Sequence, residues 1–172
     1  MKKILASLLV LVISATAALA QRYAIIDTRY ILDKMPEYAE AKKKLDATAN
    51  MWQKEIDNKQ AELDNMYRNF EAEKVMLSAE LIKKREDELF NKEKEVRDLQ
   101  KKRFGFEGDL FAERQKLIKP IQDRVYTAVQ KLAVARSYDF ILDKSEGITV
   151  IFADPKLDRS EDVLRELGVK SN

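Results

Sequence analysis

The sequence predicts a mainly α protein with a small β body, a long antiparallel helical hairpin forming a coiled-coil arm on a small β-sheet base. From Glu37 to about Arg136 the chain is strongly charged and interrupted only by Gly105, Gly108 and Pro120. Within it apolar residues recur every seven positions. Ala49, Ile56, Leu63, Phe70 and Leu77 form one row, with Leu45, Trp52 and Met66 in the neighbouring one, and Ile82, Leu89, Val96, Leu110 and Leu117 form another, broken at Arg103. A period of seven keeps each row on one seam of an α-helix and pairs helices as a coiled coil. Short apolar runs rich in β-branched residues lie on both sides of this stretch and read as strands.

Composition sets the bounds. The 172 residues are 45% hydrophobic and 36% charged, more charge than the roughly one quarter usual in globular domains, and heptads explain that excess without disorder. The absence of cysteine and histidine excludes disulfides, thiol nucleophiles, zinc sites with Cys or His ligands, and imidazole acid–base catalysis.

Taken in order, residues 1–20 read as a signal peptide. Met1-Lys2-Lys3 is a basic start, Ile4 to Ile13 is almost continuously apolar, and Ala18-Leu19-Ala20 puts small residues where a signal peptidase reads. A membrane anchor needs about 20 apolar residues and finds fewer, so export with cleavage after Ala20 is expected, leaving Gln21 first. No cysteine follows the apolar run, which excludes a lipoprotein. Loss of Lys2 and Lys3 leaves 30 basic residues against 30 acidic ones. A neutral chain does not call for nucleic acid as a partner. The basic runs Lys42-Lys43-Lys44, Lys83-Lys84-Arg85 and Lys101-Lys102-Arg103 are each diluted by nearby acids and read first as solvated helix faces.

Residues 21–36 form the first part of the β body. Tyr23-Ala24-Ile25-Ile26-Asp27 reads as a strand and Tyr30-Ile31-Leu32 as a short helix. Pro36 suits the first turn of the long helix, where its missing N–H has no partner anyway. Residues 37–119 form the arm. If the helix turns back, the pairs Leu77/Ile82, Phe70/Leu89, Leu63/Val96, Ile56/Arg103 and Ala49/Leu110 share one register, with the tip near residues 78–81 and Ser78 as N-cap of the returning helix. Each limb is then about 40 residues, on the order of 60 Å at 1.5 Å per residue. Gly105 and Gly108, among Phe104, Phe106 and Phe111, each cost about 1 kcal/mol against alanine in a helix, so this segment is read as a close crossing or as a hinge. Pro120 adds a kink.

Residues 120–172 form the second part of the body. Ile121, Val125, Ala128, Val129 and Leu132 make a wide apolar stripe. Tyr138 to Asp143 and Ile148 to Ala153 read as strands around a Lys144-Ser145-Glu146-Gly147 turn. A last helix holds Val163, Leu164 and Leu167, capped by Ser160 and closed by Gly168. With the first strand this makes a three-stranded unit drawn from both ends of the chain. Such a unit is too small to bury much apolar area alone, so self-association at the sheet is expected.

The order of these elements, and above all Tyr23-Ala24-Ile25-Ile26-Asp27, Tyr138-Asp139-Phe140-Ile141-Leu142-Asp143 and Asp158-Arg159-Ser160-Glu161-Asp162-Val163-Leu164, resembles the Skp (OmpH-like) family of periplasmic chaperones over essentially the whole mature chain. The resemblance implies a jellyfish-shaped homotrimer, with three bases forming a barrel-like body and three hairpins enclosing a cavity for unfolded outer-membrane proteins. It implies no cofactor and no metal. Side chains left off the seam would supply weak client contacts, and Met51, Trp52, Tyr67, Met76, Phe90, Phe104, Phe106 and Phe111 are the candidates. For Trp52 and Phe90, ordinary seam packing is the preferred reading. The typical family member is strongly basic and this chain is not, so any contact with an anionic membrane surface or lipopolysaccharide falls to Lys83, Lys84 and Arg85, near the tip.

Two other classes fit less well. A structural or adaptor coiled coil of the cell envelope accounts for the heptads and the leader equally. An enzyme would need paired carboxylates such as Asp27, Asp139 and Asp143, but these lie at strand ends where acids commonly cap turns, and no glycine-rich loop or nucleophile motif accompanies them.

Overall fold

The computed structural model describes residues 22–145 and 150–169. The expected signal peptide lies outside the described residues, as does the segment 146–149 at the expected hairpin turn. In chain order the elements are β1 (Tyr23–Ile26), α1 (Thr28–Asp33), α2 (Pro36–Glu73), α3 (Ala79–Phe104), α4 (Asp109–Leu117), α5 (Lys119–Arg136), β2 (Phe140–Asp143) and α6 (Ser160–Glu166). They fall into two compact units, one comprising Met35–Asp123 and the other formed by the two chain ends. Among the described residues no helix is long and apolar enough to cross a membrane.

The Met35–Asp123 unit is the helical hairpin. Pro36 opens α2 in its first turn, and the helix runs 38 residues because nothing after Pro36 lacks an N–H or brings a glycine. The chain reverses through a 3-10 turn at Lys74–Met76 and an extended Leu77. Ser78 then caps α3, its Oγ accepting from the Leu81 N–H at 3.3 Å. The antiparallel register buries Ile56, Leu63, Phe70, Leu89 and Val96 in one cluster, against which Met66, Leu77, Ile82, Leu99 and Phe104 pack. Apart from Leu99 and Phe104 these are the heptad residues, so one seam accounts for the hairpin core.

The glycine pair ends a helix and starts another. Gly105 closes α3 with its N–H on the Lys101 carbonyl at 2.8 Å, and Gly108 stands at the N-cap of α4. A Cβ on Gly105 would lie 2.3 Å from the Lys101 oxygen, and one on Gly108 would lie 2.7 Å from the Lys102 oxygen, so only glycine fits this tight turn. Between them Glu107 adopts φ 53°, a left-handed conformation that non-glycine residues take rarely. The next break falls at Ile118. Pro120, the second residue of α5, has no N–H to continue α4, and Ile121 and Gln122 donate instead to the Ile118 carbonyl, both at 3.1 Å.

In the unit formed by the chain ends, β1 and β2 pair in parallel with Tyr23 opposite Phe140 and Ile26 opposite Asp143. Parallel strands need a long crossover, and here everything between Asp27 and Asp139 supplies it. The Tyr23 and Phe140 rings stack at 5.6 Å. An isolated bridge joins Ile25 to Asp158. Buried Ile31 and Leu32 of α1 face buried Val163 and Leu164 of α6, while Val125, Ala128 and Leu132 make the buried stripe of α5.

Two expectations are corrected here. The three-stranded unit is, among the described residues, a two-stranded sheet. The described part of the expected third strand, 150–153, has no strand pairing among the described residues and leaves Ile151 97% exposed. Ser160 does not cap its own helix. Its buried hydroxyl accepts from the Asp27 N–H at 2.8 Å, and Asp158 takes the capping role by accepting from the Ser160 N–H at 2.8 Å. Gly168, at φ 75°, closes α6. Its N–H bonds the Arg165 carbonyl and the Val169 N–H bonds the Leu164 carbonyl, each at 3.0 Å, which is the Schellman pattern.

Leu63→Ala is expected to lower stability by about 2–5 kcal/mol in denaturant unfolding at fixed protein concentration, because the cavity opens in a seam with few residues to collapse into it. Val75→Ala, at a residue 90% exposed in the turn, is expected to change stability by less than about 0.5 kcal/mol.

Candidate functional site

The seam is filled by heptad residues, and several apolar side chains elsewhere on the hairpin are left exposed. Phe106 is 98% exposed, Met76 78%, Phe90 62% and Met51 61%, and Tyr67 and Phe111 are exposed to a lesser degree. Seam packing does not hold for Phe90. It follows Leu89, a buried seam residue, and one step along a helix turns the side chain about 100° away. Trp52 and Phe104 are half-buried, Phe104 against the seam cluster. Val75 and Leu81, missed in the sequence, add apolar exposure beside Met76 at the turn. The signal for them was available, since neither falls on the heptad row that carries Leu77 and Ile82.

Charges flank this surface. Lys59 on α2 meets Glu95 on α3 at 2.5 Å, Lys92 meets Glu62 at 2.9 Å, and Lys92 also approaches Glu95 at 3.8 Å, giving a four-residue cross-helix network. Hydrogen bonding to Lys59 holds the Glu95 carboxyl below its ordinary pKa and correspondingly raises the Lys59 ammonium. Of the basic run at the start of α3, Lys83, Lys84 and Arg85 are all exposed, and Arg85 pairs with Glu88 at 3.1 Å. Arg103 stands where the heptad row broke. It bonds Glu55 at 3.1 Å and Asp109 at 2.7 Å, and its guanidinium lies 4.8 Å over the Trp52 ring. The Asp109 hydrogen bond, ahead of that to Glu55, raises its pKa further.

The unit formed by the chain ends carries a polar network of its own. Tyr30 donates its hydroxyl to Glu161 at 2.5 Å, which raises the tyrosine pKa. Lys144 meets Asp158 at 2.6 Å. Arg159 donates to the Tyr138 hydroxyl at 2.8 Å. The three carboxylates considered as a catalytic set are engaged separately. Asp27 accepts from the Tyr30 N–H at 2.9 Å, Asp139 accepts from the Arg22 N–H at 2.8 Å, and Asp143 accepts from the Thr28 and Ser145 N–H groups at 3.1 and 2.9 Å. Beside the sheet, an apolar groove of about 520 Å³ is lined by Tyr23, Ile25, Leu142, Val150, Ile151 and Phe152.

Comparison with known proteins points one way. A family model described as outer membrane protein (OmpH-like) matches residues 22–167. Among solved structures, a protein from Caulobacter crescentus described as a candidate outer membrane chaperone (OmpH-like) superposes with a TM-score of 0.67 at 16% identity, over 88% of this chain and 86% of that one. No curated protein matches.

The network around Asp158 has a pH signature. Partial burial alone would push its carboxyl up, but donation from Lys144 and Ser160 outweighs this and holds it below the usual range. The unfolded chain then binds more protons, so this contribution is present above the ordinary aspartate range and is lost as pH falls through the depressed folded value. Lys144, raised by the Asp158 hydrogen bond, contributes below the ordinary lysine range and loses its effect as pH rises through the raised one. Asp158→Asn is therefore expected to melt below the wild type at about pH 7, with the gap narrowing as pH falls below the ordinary aspartate range. Melting curves whose separation stays constant over that range would contradict the assignment.

Proposed function

Since the chain belongs to the OmpH-like family, we propose that it is a periplasmic, ATP-independent holdase chaperone that binds unfolded outer-membrane β-barrel proteins between helical arms and prevents their aggregation. The observation that carries this reading is the apolar surface of a hairpin whose seam is already filled. Met51, Tyr67, Met76, Phe90, Phe106 and Phe111 stand exposed on the helices and turns of the charged hairpin, with Trp52 and Phe104 half-covered beside them. Such a surface offers many weak, adaptable contacts rather than one pocket.

An unfolded barrel strand presents apolar side chains alternating with polar ones, together with unpaired backbone edges. Contacts of this kind hold it without ordering it into one geometry, so binding is reversible without nucleotide. Equal numbers of acidic and basic residues after the expected leader leave little long-range attraction, and capture rests on apolar contact. Lys83, Lys84 and Arg85 are the positions for contact with an anionic membrane surface or lipopolysaccharide. Gly105 and Gly108 are the positions at which the hairpin flexes.

Self-association, as a homotrimer whose hairpins bound a common cavity, completes the reading. Its support in this chain is the small body. A two-stranded sheet with Ile151, Phe152 and Val134 exposed leaves apolar area that further copies would cover.

The test is light scattering of a urea-diluted outer-membrane β-barrel with and without Gln21–Asn172, at two salt concentrations. Suppression near one oligomer per client, little changed by salt, is expected. Absence of suppression at both would overturn the reading in favour of a structural coiled coil of the envelope. Single changes Met51→Ser, Tyr67→Ser or Phe90→Ser are expected to weaken protection by less than about threefold each, and the triple variant on the order of tenfold with helicity unchanged.

A further inference from the structure

We infer that Arg103 is a latch across the Gly105–Gly108 break, holding α3 and α4 at one setting that is released when its ion pairs are lost. The residue takes a seam position where the heptad calls for a hydrophobe. A buried charge seldom stabilises more than an apolar residue of similar size would, and its better-attested use is to specify one arrangement. Here the guanidinium ties three elements of one unit together. It reaches Glu55 on α2, Asp109 in the first turn of α4, and the face of Trp52 on α2. Its side chain keeps 22% of its surface in contact with solvent, and its Nε is buried without an acceptor.

The backbone it spans is sparsely held. The Gly108 N–H reaches the Gly105 carbonyl at 2.9 Å, Gly108 offers α4 no side-chain cap, and Glu107 occupies the left-handed region. Two helices joined by such a turn have their mutual angle set by the side chains that cross it together with the packing of α4 on α2. Arg103 to Asp109 crosses it directly, and Arg103 to Glu55 anchors the same guanidinium to α2. An apolar residue at 103 would pack the seam without fixing α4. Exposed Phe106 within the break and Phe111 on α4 would move with that angle.

The inference stands apart from holdase activity and is tested without any client. The chain has no cysteine, so Asp98→Cys on α3 and Gln115→Cys on α4, both exposed, take spin labels alone. The labelled protein is diluted with unlabelled chain so that only distances within one copy are read by pulsed electron resonance. One narrow distance is expected for the wild type at low salt. Loss of that single narrow distance is expected in Arg103→Met and in Asp109→Asn. Circular dichroism verifies that helicity is kept. If Arg103→Met does not fold, Asp109→Asn decides. A folded variant with a distribution as narrow as the wild type's would overturn the latch.

Discussion

The hairpin depends on a single seam. Ile56, Leu63 and Phe70 from one helix and Leu89 and Val96 from the other are its buried centre, and little else in the Met35–Asp123 unit buries apolar area between these two helices. A coiled coil commits about two residues in seven to its core and leaves the others to solvent. That constraint explains at once the high charge of the sequence and the freedom of Met51, Phe90 and Tyr67 to face outward. A globular helix with a wide apolar face would have buried them.

The unit formed by the chain ends is held differently. Its core is small, and polar contacts between distant stretches do much of the joining. Ser160 receives the Asp27 N–H, Asp158 receives Lys144 and the Ser160 N–H, and Arg159 reaches both the Ile25 carbonyl through its backbone and the Tyr138 hydroxyl through its side chain. The Asp158-Arg159-Ser160 triplet therefore connects β1, the segment after β2 and α6. This gives a physical reason for three polar residues in a row beside an apolar helix, where a sequence reader sees only a cap.

Much of the hairpin was legible because periodicity is local. The row from Ala49 to Leu77 and the row from Ile82 to Val96 specify which helix faces meet, and one shared register pairs Phe70 with Leu89 and Leu63 with Val96. Ser78 and Pro36 mark helix starts through the donors they satisfy or lack. Phe90 shows the limit. Its neighbour Leu89 is the seam residue, and an aromatic beside it reads as packing until the rotation of the helix is known. The strand at 148–153 was read from β-branched composition, but a strand needs a partner, and composition does not supply one.

The sequence by itself determined the long heptad helices, the faces on which they would pair, the special positions at Gly105, Gly108 and Pro120, and the absence of thiol and imidazole chemistry. Each follows from the properties of a residue and its near neighbours along the chain. Only the tertiary structure decided that the Ser160 hydroxyl serves Asp27 rather than its own helix, that β1 and β2 pair in parallel, and that Arg103 fills its gap by joining Glu55, Asp109 and Trp52. A polar group takes whichever partner the fold brings within about 3 Å, and residues 48 or 133 positions apart in sequence meet only once the whole chain is in place.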